Sequence, residues 1–98
     1  MTAMNVVRFR VRPGMEGAFL DAHRGGRAAW PGLTRGVIIG AGERSYVLVG
    51  EWPGMEDLAG ARTRMIETLG TFRHALEDLG TGLGVTDAVS GEVVLSLK

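Results

Sequence analysis

The chain has 98 residues, of which eleven are basic, eleven acidic and none cysteine. That length supports one domain over residues 1–98 around one core, since a chain of this size buries only about two-thirds of the surface it exposes when unfolded. The cancelling charges leave no long-range field favouring nucleic acid or an anionic membrane, and the lack of thiols excludes disulfides, a thiolate nucleophile and a thiolate metal site.

No apolar run reaches the roughly 18 residues that span a bilayer. Met1-Thr2-Ala3-Met4 leads straight into a strand pattern instead of a charged then apolar leader, so the expected location is cytoplasmic. From Met4 to Arg12 residues alternate, with Val7, Phe9 and Val11 on one face and Arg8, Arg10 and Arg12 on the other, the period of a half-buried strand. Pro13-Gly14 ends it. The segment from Met15 to Trp30 brings Met15, Phe19, His23 and Trp30 to one side at helical spacing, although Gly25-Gly26 weakens its second half by about 1 kcal/mol per glycine.

After Pro31-Gly32, two β-branched runs at Leu33–Ile39 and Ser45–Trp52 flank Gly40-Ala41-Gly42-Glu43-Arg44, the composition of a hairpin loop. Both runs are apolar at consecutive positions, so both of their faces need cover. A short helix is expected over Met55–Arg62 and a longer one over Arg64–Leu79, with Thr63 as the N-cap between them and Met65, Leu69, Phe72, Leu76 and Leu79 as the apolar stripe. A glycine-rich loop over 80–87 then leads to a last strand formed by Val93-Val94-Leu95 with Leu97. The order strand, helix, strand, strand, helix, strand is an α+β, ferredoxin-like βαββαβ arrangement, with a four-stranded antiparallel sheet and both helices on one face. The other face is too apolar to meet water, and a two-fold copy is its simplest cover, so the expected partner is a second copy bound through the sheet face.

Val6-Val7-Arg8-Phe9-Arg10-Val11-Arg12-Pro13-Gly14 leading into Phe19, then Pro31-Gly32-Leu33, then Tyr46-Val47-Leu48-Val49-Gly50-Glu51-Trp52 before a helix, resemble the antibiotic biosynthesis monooxygenase superfamily of dimeric α+β barrel proteins. Leu79 to Val94 resembles a bacterial subgroup of small stand-alone members. The resemblance implies a barrel closed by the sheets of two subunits and a ligand cleft between helices and sheet within each subunit. It transfers fold better than reaction. Haem-degrading relatives use a His on the long helix, an Asn on the first strand and a Trp on the preceding helix. Here Val7 and Ala61 stand where the Asn and Trp belong, Asn5 lies about two residues too far toward the N-terminus, and His74 falls on the solvated side beside Thr71 and Asp78. A haem-degrading role is therefore the least favoured, and no cofactor is expected.

His23, on the inward stripe between Phe19 and Trp30, is the candidate proton-handling group. Its alternative is a packed histidine bonded to backbone. Trp30 and Trp52, each before a proline at an element end, are candidate walls for a planar ligand or plugs of a small core. Tyr46 is a candidate for steadying a substrate oxygen or for a cross-strand bond. Arg8, Arg10 and Arg12 suit an ion pair near the interface, with Glu51 as partner, or capture of a substrate anion. Gly80, Gly82 and Gly84 follow a helix and precede a strand, the reverse of a phosphate loop, and suit a helix C-cap and turns. Two histidines far apart make no metal site.

Two functions stay open. One is a cofactor-independent monooxygenase acting on a small aromatic or polyketide-like compound, with His23 as base and Trp30 and Trp52 as walls. The other is a non-catalytic module that binds a small ligand or serves dimeric assembly.

Overall fold

Alternation decides which residues of the first strand go inside. The computed structural model describes residues 1–24 and 30–98, and in it β1 runs over Ala3–Arg10 with Ala3, Asn5 and Phe9 buried. Helix α1 follows at Glu16–Asp21, then β2 at Arg35–Gly40, β3 at Ser45–Trp52, α2 at Met55–Phe72, a 3₁₀ turn at Arg73–Ala75 and β4 at Asp87–Glu92. The four strands form one antiparallel sheet in the order β2-β3-β1-β4. This is the expected ferredoxin-like α+β topology, with the two strands nearest in composition to a buried sheet, β1 and β3, at its centre.

Register fixes the two faces of that sheet. Opposite Ala3, Asn5, Val7 and Phe9 of β1 stand Trp52, Gly50, Leu48 and Tyr46 of β3. This face takes the helices, through Phe19 of α1 and Leu58, Ala61, Thr68 and Phe72 of α2. The core divides into two clusters, one around Phe9, Val11, Phe19, Leu48, Phe72 and Leu76, the other around Ala3, Trp52, Leu58 and Ala61. Trp30 packs against both. Phe9, Phe19 and Phe72 meet edge to face at 5.2–5.7 Å, each such pair adding about 0.5–1.5 kcal/mol beyond its buried area.

The opposite face carries Met4, Val6, Val37, Ile39, Val47, Val49 and Val89, with Ile39 48% and Val89 67% exposed. That apolar surface was expected from the consecutive apolar positions of the two hairpin strands, whose loop also spans the expected residues between Gly40 and Ser45.

Five expectations are corrected. Helix α1 stops at Asp21, with a turn continuing to Arg24, so Trp30 lies outside it; Gly25-Gly26 falls outside the described residues. Thr63 caps nothing, because Met55–Phe72 is one continuous helix in which Thr63 is exposed. The stripe ends early, since Leu76 forms a bridge with Val11 while Ala75 and Glu77 bond the backbone of Arg12 and Arg10, which draws this stretch out of helical geometry onto the end of β1. Gly80, Gly82 and Gly84, all at positive φ, therefore turn a loop and cap no helix. The last strand is Asp87–Glu92 because β1 supplies its partner, and pairing runs from Arg8↔Asp87 to Ala3↔Glu92. Past Glu92 there is no more β1 to pair with, and Val94, Leu95 and Leu97 are exposed.

Candidate active site

Two adjoining cavities open on the helix side of the sheet. The first, about 200 Å³, lies between β1, β4 and α2, and its walls include Asn5, Val7, His23, Trp30, Met65 and Phe72. The second, about 290 Å³, lies toward β2 and is walled by Leu20, Leu33 and Ile38. His23, Trp30 and Leu48 border both. The exposed Arg62 and Ile66 stand at the α2 side of the first cavity, where it meets solvent.

His23 sits two residues beyond the end of α1, in the turn that continues it, so its ring folds back on that helix. Its Nδ1 lies 2.9 Å from the carbonyl oxygen of Phe19. A carbonyl only accepts, so Nδ1 carries the proton and Nε2 presents a lone pair. The ring is enclosed by Phe72 at 4.6 Å, Phe19 at 4.9 Å and Trp30 at 6.3 Å. Burial in this aromatic surround pushes the imidazole below the ordinary histidine value, an effect only partly offset by the bond to Phe19. A neutral imidazole whose Nδ1 is tied and whose Nε2 has no partner among the described residues is the form that accepts a proton.

Trp30 is held by its indole N–H, which donates to Thr68 Oγ1 at 3.1 Å, while Thr68 donates to the carbonyl of Arg64 at 3.0 Å. The ring thus bridges to α2 across the mouth between the two cavities. Trp52 does something other than line a cleft. It is fully buried, borders neither cavity, and donates its indole N–H to Asn5 Oδ1 at 2.8 Å. Tyr46 borders neither cavity and stacks on Phe19 at 5.0 Å.

Arg8 pairs with Asp87 across the β1–β4 ladder at 3.4 Å, and Glu51 is displaced from it because Met4 is the residue opposite Glu51. Both Arg8 and Asp87 are more than two-fifths exposed, so the pair adds little stability. Arg10 and Arg12 are exposed, Arg12 bonding the carbonyl of Leu76. His74 is exposed as expected, although it lies in the 3₁₀ turn after α2 and not on the long helix.

No family model matches the sequence, and no curated protein matches it significantly. Solved structures do match over nearly its whole length. Rv0793 from Mycobacterium tuberculosis aligns with a TM-score of 0.75 at 15% identity, covering 100% of both chains. The ActVA-Orf6 monooxygenase of Streptomyces coelicolor, solved with the ligand nanaomycin D, aligns at 0.72 and 17% identity over 98% of this chain and 90% of that one. A variant of SnoaB, a cofactor-independent oxygenase from Streptomyces nogalater, aligns at 0.68 and 16% identity over 98% and 96%. The chain has the antibiotic biosynthesis monooxygenase fold.

Within the antibiotic biosynthesis monooxygenase fold the sequence located His23 and Trp30 at the cavity but passed over Asn5. That residue is only 6% exposed and reaches the cavity wall from the floor of the sheet. A signal for it existed. Position 5 has the same parity as Phe9 and Val11, so the alternation places a polar amide inside, opposite the glycine at position 50.

Proposed function

We propose that the chain is a cofactor-independent monooxygenase-like protein that works as a homodimer on a small aromatic compound, with His23 as general base. The observation that carries this reading is the tautomer of His23: Nδ1–H is tied to Phe19, and the ring is kept neutral by burial beside an apolar cavity. A base in that state removes an acidic proton from a phenol or from the methylene next to a carbonyl. The resulting carbanion or enolate is electron-rich enough to reduce oxygen itself. In the methylene case the carbon gives up four electrons and becomes a carbonyl. One oxygen atom enters the product and the other leaves as water. The protein's part is a dry, aromatic-walled space and one proton acceptor.

The fold shared with SnoaB and the ActVA-Orf6 monooxygenase supports the reaction class. The apolar outer face of the sheet supports the dimer, since a patch of that kind on a lone subunit would meet water. Trp30, fixed on Thr68, is the wall for the ring system. Oxygen-electrode assays with anthrone-type and phenolic substrates test the reading. Uptake above buffer is expected, and His23→Gln is expected to slow turnover by about a hundredfold with KM little changed. No uptake across the panel ends the enzyme reading.

One observation favours the second reading, a non-catalytic binding module. At about 200 Å³ the first cavity is smaller than the roughly 300–1,000 Å³ of ordinary ligand pockets, so a ligand of three fused rings requires the wall at Trp30 or Ile66 to move.

A further inference from the structure

We infer that Asn5 is the specificity-determining donor of the first cavity and selects aromatic ligands that carry a ring carbonyl or comparable oxygen acceptor. The inference rests on the aromatic-ligand reading of that cavity and adds the polar feature by which it chooses. The orientation of the amide is settled by its neighbour, because the indole N–H of Trp52 is a donor only and must face Oδ1, which it meets at 2.8 Å. Nδ2 then points the other way. There it finds Met65 Sδ at 3.8 Å, a thioether and a weak acceptor. Met65 borders the first cavity and Trp52 does not, so the under-used N–H donors are on the cavity side.

Burial makes this arrangement costly unless something completes it. Asn5 is 94% removed from solvent on the relative scale, being 6% exposed, and a buried amide donor facing only a thioether forgoes most of a hydrogen bond. The fold nevertheless makes room for it. A Cβ on Gly50, directly opposite Asn5 in the ladder, would fall 2.3 Å from Asn5 Oδ1 and 3.1 Å from Trp52 Nε1. The glycine is what lets amide and indole meet at all. Of the other nitrogen donors at the cavity, the Trp30 indole is committed to Thr68 and His23 Nδ1 to Phe19, and the exposed Arg62 stands at the solvent side, which leaves Asn5 as the buried amide available to a ligand. Trp52 acts through Asn5 and is a positioning residue.

The test uses two bicyclic probes of matched shape, 1-tetralone and tetralin, titrated calorimetrically into the full-length wild-type chain, Asn5→Leu and Trp52→Phe. The ketone differs from the hydrocarbon by a carbonyl oxygen, which only accepts, so its advantage over the hydrocarbon reports on donors to that oxygen. The expected result is that the tetralone-to-tetralin affinity ratio falls about tenfold in Asn5→Leu while tetralin affinity holds. In Trp52→Phe, where the amide is free to turn over, the ratio falls severalfold. Should Asn5→Leu fail to fold, Trp52→Phe decides on the same ratio. A ratio unchanged by the substitution, with both probes binding, overturns the assignment and leaves the aromatic cavity standing. Failure of both probes, or of tetralone alone, to bind the wild type removes this assignment, and failure of both removes the cavity reading with it.

Discussion

His23 shows how a single ring inherits its chemistry from where the chain places it. One bond to the preceding turn fixes the tautomer, and three aromatic neighbours remove the water that a charged imidazole needs. The same burial ties stability to pH. Because the folded-state pKa lies below the ordinary value of 6.5, the unfolded chain binds the proton more readily. No penalty exists well above pH 6.5. As pH falls through 6.5 toward the lowered folded value, stability drops, and it stops dropping once both states are protonated. Thermal melts of wild type and His23→Gln between pH 7.5 and about 5 check this, with a flatter profile expected for the variant. His23 was readable from helical spacing although the helix ends before it, since one turn of continuing backbone keeps the same side inward. Asn5 was less readable, because a lone polar side chain in a strand is ordinarily solvated and only its parity with Phe9 marks it as buried.

At the scale of elements, the strands marked by alternation or by a β-branched apolar run were legible and the polar one was not. The polar run Asp87–Glu92 forms β4, Val93 adds one backbone bond to Thr2, and the more apolar Val94-Leu95 overhangs. Apolar content marks what would benefit from pairing, whereas the position of the partner strand decides what can pair. The central pair β1–β3 has its own vulnerable point at Gly50. Gly50→Ala sets a methyl group against the Asn5 amide, and a loss of about 1–3 kcal/mol is expected, lowering Tm by several degrees. Gly40→Ala, on β2 with open space around the added carbon, is the control and should melt close to wild type. Equal melting of the two variants would contradict the packing described for the β1–β3 ladder.

Taken whole, the molecule has a helix-covered face and a bare one, and the proposed dimer follows from the bare one. Ile39→Glu places a carboxylate in the middle of Val37, Val47 and Val49. Sedimentation at micromolar concentration is expected to give twice the chain mass for wild type and a dissociation constant at least about a hundredfold weaker for Ile39→Glu, the effect of burying an unpaired charge. A wild type that sediments as a single chain refutes the dimer. The fold itself was accessible from sequence because it depends on the order and faces of elements. The size of the cavity was not, because it depends on how far α2 stands from the sheet.

Strand β1 has one further property. Met4 and Val6 look outward while Asn5, between them, looks inward, so each outer neighbour is one peptide unit from the amide. Pressure applied from outside that strand must reach the first cavity, and a second chain seated on Met4 and Val6 in the proposed dimer would help to set the height of that cavity's floor. In the proposed reading, recognition of the small molecule and recognition of the second chain are written on alternate letters of the same short word.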